Sequence, residues 1–468
     1  MVLRIARKEL VEMMRDGRFR VLSAIVLAVS LVSLLAGWKH YTDLSRQHET
    51  AAASTREQWV NQPEKNPHSA AHYGVYAFKP KSQLAIVDTG IDPYMGVAVW
   101  LEAHRQNEFK YRPAQDRTAV QRFGEMTAGE VLQVLLPLFV VLMTFSAFSG
   151  EREQGTLRQL LSLGVRRRDL MMGKALGIAA ALGLVLVPSV IMGVVAMALT
   201  LEGGLLAGDP MRAVLLVAVY AAYFAVMIAL ALGVSAWAAS SRLALVILLS
   251  FWFTNSLIAS RAVSDLASAL HPTPSAIEFQ QAMQADLDDR APVQRRLDER
   301  RAALLREYNV DTIDALPIAF SGISLQEGEE YANLVFDRHY GRLFDLYDRQ
   351  NRVHQLAGVV APMLAVRSLS MGLAGTDFLQ HRDFIRAAED YRRDIQRILN
   401  GDIVRNQKPG QVYLAGRALW EEVPPFDYEA PATSWVLAAY TTSLLVLGLW
   451  MAAAVAWMLR AGATARVD

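Results

Sequence analysis

Two runs without a single charged residue, Val131 to Ser149 and Ala175 to Leu201, enclose the segment Glu151 to Lys174, EREQGTLRQLLSLGVRRRDLMMGK. Runs this apolar are at home only in lipid or a deep core, so the pair reads as two membrane spans joined by a charged hairpin. The hairpin has an internal order. An acidic-basic opening is followed by Gly155-Thr156, which can start a helix, then by Leu157, Leu160 and Leu161 on one face, then by Gly164 and Arg166 to Arg168. That order predicts a short amphipathic helix, a turn and a basic re-entry into the bilayer. Six of its 24 residues are basic, which places it on the cytoplasmic side by the positive-inside rule.

The remaining runs extend the pattern. Hydrophobic residues make up 53% of the chain and charged residues 20%, so membrane spans must share it with an aqueous part. The sequence predicts an all-α integral membrane protein. An amphipathic interfacial helix occupies 1–20, with Glu9, Leu10, Met13 and Arg18 as its marker residues. Spans follow over 21–38, 131–149, 176–200, 212–238, 243–260 and 433–459. Between them lie a mainly helical external lobe (39–130), the charged hairpin (150–175), a short external link (201–211), a large external, mainly helical domain (261–432) and a cytoplasmic tail (460–468). Six spans place both termini in the cytoplasm and both large loops outside. All nine histidines, from His40 to His381, fall in those two loops. Leu356 to Leu373 is apolar enough to suggest a seventh span, but Pro362 and Arg367 favour a surface or buried helix.

The charge balance of +1 gives no reason to expect nucleic acid, and the absence of cysteine excludes disulfides, thiolate metal sites and cysteine nucleophiles. No Walker A pattern is present: Gly173-Lys174-Ala175 lacks the upstream glycine spacing and the following hydroxyl. No span holds an acid, histidine or lysine for intramembrane chemistry, so the chain is not expected to be an enzyme. His68 and His72 could share a metal if helical, but no third ligand is apparent and the pair reads as solvated; no metal is expected.

The ordered residues Glu151, Gly155-Thr156-Leu157, Leu160-Leu161, Arg168 and Gly173-Lys174 resemble the coupling-helix signature of type V ABC exporter permeases, the ABC-2 permease family. The 325–331, 335–340, 369–377 and 387–393 segments resemble a bacterial subfamily of unassigned function with an enlarged loop between its fifth and sixth spans. The resemblance implies two partner ATPase subunits that carry ATP and Mg, a second permease copy or paralogue, and residence in the bacterial cytoplasmic membrane. It implies no cofactor on this chain. Leu157, Leu160 and Leu161 are expected to dock on the ATPase, and Phe145, Phe148, Phe251, Trp252 and Asn255 to line a cavity. Charge-free spans point to export of an amphiphilic or lipid-linked substrate; the alternative is a force-transmitting complex acting on a periplasmic partner without transport.

Overall fold

The computed structural model describes residues 1–107, 126–200, 209–408 and 411–465; the expected 201–211 link and the end of the tail lie largely outside them. Helix α1 (Val2–Arg15) stops at Asp16, whose extended backbone breaks the helix and whose side chain accepts from the Arg18 N–H to start α2 (Gly17–Val60). Among the described residues, six helices are long and apolar enough to cross a membrane. They are α2, α4 (Ala128–Glu153), α6 (Arg167–Ala198), α7 (Pro210–Trp237), α8 (Ser241–Leu270) and α12 (Thr441–Ala463). The short α5 (Thr156–Ser162) joins α4 to α6.

Helix α2 outruns the predicted first span. No proline or glycine cluster interrupts it before Asn61-Gln62-Pro63, so it continues for 44 residues, about 66 Å at 1.5 Å per residue and twice a bilayer core. Its far end helps build a lobe. Trp59 packs edge-on against Trp420 at 6.3 Å between ring centroids, and its indole N–H donates to the Trp420 carbonyl at 2.9 Å. The two large loops therefore share one core, in which Val75, Val99 and Leu101 meet Phe384, Ile395 and Leu399.

Within the first loop, α3 (Pro67–Tyr73) precedes a three-stranded antiparallel sheet, β1 (Val75–Phe78), β2 (Ala98–Glu102) and β3 (Arg105–Gln106), in the order β1-β2-β3. The sheet corrects the expectation of a mainly helical first loop: buried and half-buried side chains alternate along VYAF as on a strand, but all four residues are apolar, so no polar alternation in the sequence marks it. The second loop is helical, with α9 (Phe320–Ala357), α10 (Pro362–Ala374) and α11 (Phe378–Asn406) as its main elements. Helix α10 spans only 13 residues and is nearly all buried, packed on α7 and α12, so the suggested seventh span is an internal helix.

Candidate functional site

Three consecutive charged residues fasten the hairpin to three different helices. The Glu151 carboxylate accepts from Lys174 Nζ of α6 at 2.8 Å, and Lys174 also reaches Glu9 of α1 at 2.8 Å. Lys8 flanks the cluster at 2.9 Å from Glu12 and 3.7 Å from Glu151. Arg152 is buried and donates to the carbonyls of Ala238 (2.8 Å), Ala236 (3.1 Å) and Ser235 (3.4 Å), capping the end of α7. Glu153 accepts from the Ser241 N–H (2.7 Å) and hydroxyl (2.9 Å), capping the start of α8.

The Gly-Thr pair ends that clamp. Gly155 takes a left-handed conformation (φ 73°) open to glycine, and the Thr156 hydroxyl donates back to the Glu151 carbonyl at 3.0 Å. Gly164 (φ 80°) supplies the second turn.

Lys174 is 2% exposed and lies over the Phe148 ring at 5.6 Å. Such a buried cation is tolerable only with both carboxylates present. The cluster needs α1 close to α6, and glycine supplies the space. A Cβ on Gly173 would sit 2.5 Å from the Ile5 Cβ, and one on Gly177 would sit 2.7 Å from the Glu9 Cβ and 2.8 Å from the Ala6 carbonyl oxygen. Gly177→Leu is therefore expected to push α1 off α6 and separate Glu9 from Lys174. Hydrogen-exchange mass spectrometry should show faster exchange over Val2–Arg15, and unchanged protection there would refute the packing role.

Several predicted residues sit differently from expectation. Leu157 is 1% exposed and Leu160 and Leu161 are partly buried against the same core, because α5 lies down on the bundle. The three leucines thus hold α5 in place, and the outward face is Gln154, Gly155, Arg158, Gln159, Ser162 and Leu163, with Leu163 80% exposed. Arg168 is exposed, and Arg167 donates to the Ala465 carbonyl at the end of α12. On α1, Leu10 and Met13 pack inward with Glu9, whereas Leu3 and Met14 face out; Arg18, expected on the same helix, lies instead in the first turn of α2, where it pairs with Asp16 at 2.8 Å.

The cavity assignment also changes. Phe148 is buried under Lys174, and Asn255 is buried, donating to the Tyr223 hydroxyl at 3.1 Å and accepting from the Met363 N–H at 3.1 Å. Trp252 donates to the Val134 carbonyl at 2.9 Å and Phe251 packs against Trp450, so both join helices. Phe145 borders a shallow apolar groove with Val21, Leu22 and Leu142.

A cavity of about 350 Å³ with mixed polar and apolar walls lies instead at the lobe end of the bundle, lined by Asp88, Glu130, Gln133, Arg367, Met371 and Asp377 among others. Asp88 accepts from the Ser370 hydroxyl at 2.5 Å, Ser370 meets the Tyr220 hydroxyl at 2.8 Å, and Gln133 donates to Tyr220 at 3.0 Å. Asp377 is held between Tyr440 and Gln380, and burial pushes its carboxyl above the usual range. Burial, then the charge of Arg367, lowers His354. Sequence inspection missed this cavity because its residues come from both loops and three spans.

Residues 95–255 match the family model described as ABC-2 family transporter protein, and residues 276–429 match a domain of unknown function, DUF3526. No curated protein matches the chain. The first match covers α4 to α7, with the three-way clamp, and most of the membrane part of α8.

Proposed function

The chain is an ABC-2-type permease, a multi-pass membrane component of an ABC transporter, and from that premise we propose that it converts ATP hydrolysis on partner ATPases into movement of an amphiphilic or lipid-linked substrate out of the bacterial inner membrane. The observation that carries the proposal is the clamp at Glu151, Arg152 and Glu153. It makes α5 a lever joined to α1, α6, α7 and α8, so a push on its outer face tilts several spans together. Two ATPase subunits, carrying ATP and Mg, would press on the Gln159 to Leu163 face of each of two permeases. Both termini and α5 would lie in the cytoplasm, and the lobe in the periplasm. The substrate's tail would stay among apolar spans while its polar head reaches the Asp88 and Arg367 cavity at the lobe end.

A force-transmitting role remains the second reading, favoured by one observation. Helices α2 and α8 run without a break from the bundle toward the lobe, so tilting the spans would move the lobe with or without cargo.

The absence of cysteine makes a direct test simple. Leu163→Cys and Val412→Cys, both on exposed side chains, should be labelled by a membrane-impermeant maleimide from opposite sides of the membrane, Val412→Cys in intact spheroplasts and Leu163→Cys only after permeabilisation. An ATPase subunit should co-purify with the tagged chain. Reversed labelling, or purification without any ATPase, would overturn the proposal.

A further inference from the structure

Outside the membrane, the lobe gathers three histidines that the sequence spacing does not connect. His68 and His72 lie one turn apart on α3, and His104 lies in the turn between β2 and β3. Their ring centroids are 4.9 to 5.0 Å apart pairwise, and one ring nitrogen from each falls within 4.8 Å of the others. His104 is the third imidazole that the sequence does not place beside the pair read as solvated. It adopts positive φ (65°), unusual for a residue with a side chain, and that conformation brings it to the other two.

The surrounding hydrogen bonds fix which nitrogens face inward. The Glu330 carboxylate accepts from Gln326 Nε2 at 2.9 Å, which turns Gln326 Oε1 toward Asn400 Nδ2 at 3.0 Å. Asn400 Oδ1 therefore faces His68 Nδ1 at 3.2 Å, and Nδ1 must be the protonated nitrogen. On the other side, the fully buried Glu329 carboxylate pairs with His104 Nδ1 and also accepts from the His104 backbone N–H at 3.2 Å. The Asn400 amide oxygen and the Glu329 carboxylate, both acceptors, favour the proton on Nδ1 of each ring, which leaves the two Nε2 lone pairs facing each other across 3.1 Å. Two lone pairs this close repel unless a cation lies between them. Two ligands on tetrahedral zinc, at bonds of about 2.0 to 2.1 Å, stand about 3.3 Å apart, close to the observed separation.

We propose that His68, His72 and His104 form a three-histidine site for a divalent transition metal, with zinc as the ion that imidazole nitrogens and tetrahedral geometry suit best. Glu329 and Asn400 hold two of the ligands by their outer nitrogens, the carboxylate-histidine-metal arrangement that sets ring orientation and ligand basicity. The ligands come from the first loop, and both orienting residues come from the DUF3526 region, so the ion would tie α3 and the β2-β3 turn to α9 and α11. Three protein ligands leave a fourth position. With His72 and His104 exposed, it opens to solvent and takes water or a side chain from a periplasmic protein.

The test uses the full chain in detergent, purified on a non-histidine tag, stripped with chelator and titrated with Zn2+ by calorimetry. One zinc per chain is expected. Glu329→Gln should weaken binding 10- to 100-fold, as loss of an outer partner does. His72→Ala, at an exposed position, should weaken it at least tenfold while leaving the metal-free unfolding temperature unchanged. Co2+ should give the intense visible bands of a tetrahedral site in the wild type and lose them in His104→Ala. No zinc binding by the wild type, or wild-type affinity in both His72→Ala and His104→Ala, would overturn the site and leave a shared proton between His68 and His104. Because the site lies far from α5 in the chain and needs no ATPase, either result is independent of the transport proposal.

Discussion

Lys174→Met is expected to lower the unfolding temperature and abolish coupling in one step. The lysine is 2% exposed and is the ion that Glu9 and Glu151 share, each at 2.8 Å. Without it two carboxylates, 11% and 15% exposed, would face each other with only the half-exposed Lys8 nearby. Breaking a buried ionic cluster by removing one partner costs about 3 to 5 kcal/mol, mostly from the charges left behind. The loss should appear first as release of α1, because Glu9 is its one buried side chain. Thermal unfolding in detergent, together with ATPase stimulation in the reconstituted complex, measures both effects. The triple variant Lys174→Met, Glu9→Gln, Glu151→Gln should recover much of the stability, since no unpaired charge remains. A single Lys174→Met protein with wild-type unfolding temperature and full coupling would refute the structural role of the cluster.

Sequence periodicity marks the hairpin and its amphipathic helix but not how the hairpin's side chains are packed. The charge-free runs reveal the spans because composition alone decides whether a segment can sit in lipid. The amphipathicity of Leu157, Leu160 and Leu161 was equally visible, but an apolar stripe does not say which partner it covers. Here the partner is the chain's own bundle, since α4 and α6 bring it within reach first. Gly173-Lys174 looked like a single docking motif. In the structure its glycine makes room for Ile5 and its lysine joins two acids, one of them 165 positions away. The roles of Arg152 and Glu153 are not legible in the sequence, because helix capping is set by which termini lie nearby, and no local pattern shows that. The lobe was harder still. The Trp59 and Trp420 contact spans 361 positions, and His104 meets His68 only through the β2-β3 turn, so no window on the sequence contains either pair.

The revised orientation of α5 changes what a disruptive mutation should do. Leu163 ends the helix, is 80% exposed, and precedes the left-handed Gly164, so it projects from the hairpin as an apolar side chain without neighbours of its own. Seating such a leucine in a groove on the ATPase would contribute about 1.5 to 3 kcal/mol, a tenfold to hundredfold change in affinity. Leu163→Asp should therefore cut ATPase co-purification at least tenfold, since a carboxylate would have to be buried without a partner. Its own unfolding temperature should not change. Leu160→Asp tests the other half of the argument: its side chain is packed on the bundle, so it should lower stability before any effect on docking can be read. Arg167→Ala should remove only a contact to the Ala465 carbonyl and spare docking. The decisive measurement is ATPase recovered per permease in the membrane for all three variants. Full retention by Leu163→Asp would remove α5 from the docking surface, and loss of ATPase in Arg167→Ala alone would move that surface to the arginines at the start of α6.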